Sequence, residues 1–117
     1  MRILVTGSRH HSDYSLIKSA LQAAADGEEH TLVNGGASGA DSLARRAAEE
    51  LGWTVETYPA DWETYGKRAG YLRNKQMVDS QPDLCLAFPL GVSRGTWMTV
   101  KLCGKANIPV KVYRGEA

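Results

Sequence analysis

Four short stretches hold residues whose types and spacing suit the chemistry of a phosphate ligand: Gly7-Ser8-Arg9, Asn34 to Asp41, Arg73-Asn74, and Pro89 to Thr96. In the second, Gly35, Gly36 and Gly39 permit backbone conformations closed to other residues and let N–H groups approach a ligand closely. Ser38 adds a hydroxyl. A helix is expected to start at once, and its free N–H groups and dipole favour an anion. The run matches neither a Walker loop nor a G-x-G-x-x-G fingerprint. Asp41 has two open roles, a helix cap in a plain tight turn or a contact to a ribose hydroxyl.

The other stretches repeat this logic. Gly7 allows a sharp turn, Ser8 can donate to phosphate, and Arg9 can form a bidentate pair with it. Gly91, Ser93, Arg94 and Gly95 follow Pro89, with a helix expected to open at Thr96. Ala69, Arg73 and Met77 are spaced i, i+4, i+8, so Arg73 shares an apolar helix stripe and must either snorkel to water or meet a partner. A ligand phosphate is one such partner. Trp62 and Tyr65, set among Asp61, Glu63, Lys67 and Arg68, can form a lid that stacks on a base; packing over the sheet edge or a subunit contact fits them equally. His10 and His11 read as surface or loop-packing residues rather than catalysts. Trp53 and Trp97 read as core or interface residues, and no metal is expected.

These stretches must be positioned by the elements between them, and the pattern of those elements is regular. Ile3-Leu4-Val5, Thr31-Leu32-Val33, Trp53 to Tyr58, Asp83 to Phe88 and Ile108 to Tyr113 read as strands. Helices are expected from a cap at Ser12 to a stop at Asp26-Gly27, through Ala44 to Leu51, over Ala69 to Asp79, and over Thr96 to Ala106. Strands alternating with helices imply right-handed crossovers and a mostly parallel sheet covered on both faces. The expected fold is α/β: a Rossmann-like three-layer α/β/α sandwich with five strands in the order 3-2-1-4-5, residues 1–117 forming one domain. In such sheets a ligand sits beyond the C-terminal strand ends, at the switch between strands 1 and 4.

The chain has 117 residues and a net charge of +1, which removes any composition-level case for nucleic acid or an acidic membrane. No apolar run approaches the roughly 20 residues of a membrane span. A cytoplasmic protein is expected, with Cys85 and Cys103 as reduced core thiols.

Together these residues resemble the SLOG superfamily, particularly its YspA-like branch. The resemblance rests on Gly7-Ser8-Arg9, the loop from Gly35 to Asp41, Pro59-Ala60-Asp61-Trp62, Arg73-Asn74 with Met77, and Ala87-Phe88-Pro89 through Ser93-Arg94-Gly95-Thr96. It implies a Rossmannoid pocket for a nucleotide or nucleotide-derived ligand, for example an NAD- or ADP-ribose-derived one; no cofactor is expected to be required. Two relatives within it point to different activities. The Lonely Guy phosphoribohydrolases are similar in the helix bearing Arg73-Asn74 and Met77, where Arg73 matches their catalytic arginine. Their catalytic Glu has no counterpart here, because Gly95-Thr96 is followed by Trp97-Met98-Thr99; Asp41 or Asp61 would have to supply the acid from another loop. The DNA-processing protein A family, which binds single-stranded DNA, is similar at Gly7 to Arg9, Ser38 to Asp41 and Arg73-Asn74.

The leading expectation is a module that senses or sequesters a small-molecule nucleotide, and self-association is expected. Arg9, Arg73 and backbone N–H groups around Gly36, Ser38, Gly39 and Gly95 would hold phosphate. A nucleotide N-glycosidase using Arg73 and Asp41 ranks second, and single-stranded DNA binding third.

Overall fold

The computed structural model describes residues 1–27 and 29–114. Its strands are β1 (Arg2–Gly7), β2 (Thr31–Asn34), β3 (Thr54–Thr57), β4 (Leu84–Phe88) and β5 (Val110–Val112). The helices are α1 (Tyr14–Ala24), α2 (Ala40–Glu50), α3 (Trp62–Tyr65), α4 (Ala69–Asp79) and α5 (Arg94–Lys105), with a 3-10 turn at Gly66–Arg68 between α3 and α4. The sheet runs β3-β2-β1-β4-β5, and every pairing is parallel. The expected strand order therefore holds, in a sheet that is wholly parallel among the described residues.

The two-residue period of a strand explains the layers. In β1, Ile3 and Val5 point into a cluster with Ile17 and Leu21 of α1 and Ala44, Ala47 and Ala48 of α2. Leu4 points the other way, joining Met77 and Val78 of α4 and Cys103 of α5. Strand β4 divides likewise: Leu84, Leu86 and Phe88 face the first cluster and Cys85 the second. Strands buried on both faces read as unbroken apolar runs, as Ile3-Leu4-Val5 does. Both cysteines are free and buried.

Local boundaries differ from expectation where side chains compete to cap. Asp13, not Ser12, caps α1: its carboxylate accepts the Leu16 N–H at 3.1 Å, and a carboxylate gains additionally from the helix dipole. Helix α5 opens at Arg94, two residues ahead of Thr96, with Ser93 at the cap position. The polar connection between β3 and α4 contains α3, whose cap Asp61 accepts from the Thr64 N–H at 3.1 Å.

The loops after β1 and β2 are locked together. Ser8 O accepts the Ala40 N–H at 3.0 Å, and Gly39 has φ 70°. A Cβ on Gly39 would overlap the backbone of Ser8 and Arg9. Gly39→Ala is expected to lower stability by about 1–3 kcal/mol through overpacking and the strained backbone, read as a lower urea midpoint. An unchanged midpoint would mean that the loops can part at little cost.

Candidate functional site

The C-terminal ends of β1, β2 and β4 bring three loops together around a cleft of about 360 Å³. Gly7, Ser8 and Arg9 form one wall, Asp41 from α2 and Arg73-Asn74 from α4 the floor and far side, and Ser93 to Thr96 the remaining wall. A second cleft of about 320 Å³ adjoins it, lined by Gly35, Gly36, Ser38 and Trp62 and sharing Arg9 and Arg73 with the first. Among the expected site residues, Gly39, Pro89 and Gly91 line neither cleft.

The crossover helices place these side chains by simple geometry. Parallel strands put all their C-terminal ends, and the N-termini of the helices that follow, on one edge. Two helix N-termini therefore face the site; no side chain caps either, but α2 carries a carboxylate in its first turn and α5 carries none.

The N-terminus of α2 carries its own anion. Asp41 lies inside the first turn, where a carboxylate is favoured by the dipole. One of its oxygens accepts the Gly35 N–H at 3.0 Å and the Ala37 N–H at 3.2 Å. Asp41 thus folds the glycine loop back onto its own helix; the cap position belongs to Gly39. The Gly36 N–H is likewise engaged, donating to Asn34 Oδ1 at 2.8 Å. The Gly36 amide is therefore already bonded within the loop.

The N-terminus of α5 is open. No side chain caps it, because Ser93 Oγ and Thr96 Oγ1 bond to each other at 2.6 Å instead. Among the described residues, the amides of Arg94, Gly95 and Thr96 have no backbone acceptor. Ser8, only 6% exposed, accepts the His10 N–H at 3.1 Å, and its own hydroxyl proton has no acceptor among the described residues. Arg94 is exposed at the rim.

Arg73 is fixed from two sides: Nη1 donates to Gly35 O at 2.6 Å and Nε to Asn74 Oδ1 at 2.8 Å. Gly35 must be glycine for this approach, since a Cβ there would overlap the guanidinium. Burial lowers the Arg73 pKa, as does the Arg9 charge, while Asp41 opposes both. Burial raises the Asp41 carboxyl to about 6, against the Ala37 N–H, the Arg73 charge and the Gly35 N–H. The cleft therefore combines strong N–H and guanidinium donors with one carboxylate that gives up its charge just below neutral pH.

Residues not assigned to the ligand site from the sequence also take part. His10, Ala37, Met77 and Val92 line the main cleft. Asn34, fully buried, braces the glycine loop from the end of β2, its amide donating to Glu56 O and Thr57 Oγ1. The Asn-Gly-Gly run at a strand end was the available signal. His11 is buried and packs edge-on against Phe88, as expected of a loop-packing residue. Among the described residues no helix is long and apolar enough to cross a membrane.

Comparison with known proteins agrees with this architecture. DNA processing protein A (DprA) from Streptococcus pneumoniae superposes with a TM-score of 0.73 at 16% identity, over 98% of this chain and 50% of that one. The C-terminal domain of PF1911 hydrogenase from Pyrococcus furiosus gives 0.50 at 15% identity, over 96% of this chain and 90% of that one. At such identities the likeness is one of fold; the chain spans half the length of the DprA chain. In sequence, Gene 61 protein of Mycobacterium phage D29 is 45% identical over 116 residues, 93% of each chain. Residues 1–65, which include β1, the glycine loop and β3, match the family described as YAcAr. The chain belongs to this YspA, cpYpsA-related SLOG family.

Proposed function

We propose that this protein binds a nucleotide or nucleotide-derived ligand, with a phosphate seated in the main cleft at the N-terminus of α5, and acts as a sensing or sequestering module. The observation that carries this is the α5 terminus, which has neither a side-chain cap nor an acidic residue in its first turn. Its amides face a cleft whose walls supply a buried hydroxyl proton on Ser8 and the guanidinium of Arg73. Exposed helix N–H groups with an adjacent arginine are suited to phosphate. A SLOG family and a Rossmann-like sheet are consistent with a nucleotide-related role, although fold alone does not fix function.

The test is thermal unfolding against nucleoside mono-, di- and triphosphates, NAD, ADP-ribose, inorganic phosphate and a short single-stranded DNA. A ligand at 100 times its Kd adds about 2.7 kcal/mol, and each kcal/mol moves the midpoint of a domain this size by roughly 3–6 °C. A shift with phosphate-bearing nucleotides, absent with the matching nucleosides, is expected. Equal shifts with nucleosides, or none with any nucleotide, would contradict the proposal.

A second reading has one observation in its favour. Asp41 is the carboxylate that lines the main cleft with Arg73, whereas Asp61 caps α3 and lines neither cleft. A carboxyl and an arginine across one cleft suit N-glycosidic cleavage, in which a carboxylate stabilises oxocarbenium character. Release of free base from a nucleoside monophosphate, lost in Asp41→Asn, would establish it. No release from any common monophosphate would leave binding as the function.

A further inference from the structure

The two clefts share a wall, and that wall carries two guanidinium groups with no carboxylate paired to them. Arg9 and Arg73 line both clefts. Among the described residues neither forms an ion pair, and the Arg9 side chain makes no hydrogen bond. Arg73 uses Nη1 and Nε within the protein, which leaves Nη2 free. The charge on Arg73 is disfavoured by burial and, to a smaller degree, by Arg9, while Asp41 favours it. Two like charges held side by side, one of them half-buried, are relieved by an anion between them.

Beyond this ridge the second cleft changes character. Pro59, Ala60 and Trp62 line it. Trp62 is 54% exposed, and one edge of its ring rests near Gly70, where a Cβ would lie 3.3 Å from Cη2. A large exposed indole beside small apolar neighbours suits a flat ring stacked on it. Each cleft alone is at the low end of ligand-pocket volumes, and the two adjoin along Arg9, Ala37 and Arg73.

Resting on the phosphate site proposed above, we infer that the ligand is a nucleoside carrying at least two phosphoryl groups. The base lies against Trp62, the first phosphoryl group on the Arg9–Arg73 ridge, and the second at the N-terminus of α5.

Isothermal titration of the full chain with inorganic phosphate, pyrophosphate, and the mono- and diphosphates of each common RNA nucleoside tests this. The best nucleoside diphosphate is expected to bind about tenfold or more tighter than its monophosphate. Arg9→Ala should remove most of that difference. Trp62→Ala should weaken the nucleoside diphosphate and leave pyrophosphate unchanged. Both residues are exposed, so the folded state should survive both changes, checked by an unaltered thermal midpoint. Equal affinities for mono- and diphosphate, or a Trp62→Ala effect as large on pyrophosphate as on the nucleotide, would overturn this inference and leave the α5 phosphate site standing. Absence of binding by every phosphate compound would remove both.

Discussion

Replacing Arg73 by methionine is expected to weaken binding of a phosphate-bearing nucleotide by about a hundredfold or more, with a much smaller effect on stability. The asymmetry follows from the position of the guanidinium. It is half-buried, close to the Arg9 charge, and paired with no carboxylate within ion-pair distance among the described residues. In the free protein burial and Arg9 make its charge costly, with Asp41 offsetting part of that cost, and a neutral side chain of similar length relieves what is left. Against this stands the lost hydrogen bond to Gly35 O, about 1 kcal/mol in net terms. In the complex the same guanidinium meets an anion, and truncating one partner of a buried charge pair costs about 2–5 kcal/mol. Titration calorimetry and urea unfolding on the same variant separate the two effects. Affinity kept within a few-fold would contradict a role for Arg73 in holding phosphate. Equal losses in affinity and stability would mark it as a structural tether for the glycine loop.

The second large effect concerns Asp41 and pH. Its carboxyl is pushed up to about 6 in the folded protein, chiefly by burial, from an ordinary value of 3.8. A carboxyl with a raised folded pKa binds its proton more tightly in the native state than in the unfolded chain. Its contribution to stability is therefore greatest below pH 3.8, falls as pH rises from about 4 to 6, and is flat above. The size of the fall is about 3 kcal/mol, from a shift of about 2 units. Other carboxylates act oppositely; Glu56, held low chiefly by its hydrogen bond from Arg2, stabilises the fold as pH rises. The stability difference between the natural chain and Asp41→Asn isolates the one group, because Asn can still accept from the Gly35 and Ala37 N–H groups. That difference is expected to shift against the natural chain by about 2 kcal/mol between pH 4 and pH 6.5. A difference independent of pH would show that Asp41 titrates in the ordinary range.

The same carboxylate bears on binding. An anion entering the cleft raises the Asp41 pKa further, so binding above pH 6 takes up a proton, and Asp41→Asn should bind a phosphate ligand more tightly at pH 7.5. Calorimetry in buffers of different ionisation enthalpy reads the proton directly. Proton release, or none, would contradict the proximity of the ligand to Asp41.

Much of the fold was legible because its signals are local. Ile3-Leu4-Val5 is apolar on both faces of a strand, Ile17, Ala20 and Leu21 repeat at helical spacing, and the glycine loops follow strands 1, 2 and 4. Strict alternation of strands and helices then leaves few topologies. The difference between the α2 and α5 termini was not legible. It depends on Asp41 turning back to the amides of Gly35 and Ala37, and on Ser93 choosing Thr96 over a backbone cap. Both Asp41 and Ser93 are ordinary cap residues in sequence. The Arg73 tether to Gly35, 38 residues away, and the position of Trp62 across a second cleft are tertiary facts with no local trace.

The most direct test of the central claim, that phosphate is held at the N-terminus of α5, is an amide chemical-shift titration of the labelled protein with the best-binding nucleotide and with inorganic phosphate. The amides of Arg94, Gly95 and Thr96 are predicted to shift most with both ligands, followed by the Arg73 side chain, while the already bonded amides of Gly35 and Gly36 move less. Largest shifts in the glycine loop, with the α5 amides silent, would place the phosphate at α2 and contradict the account.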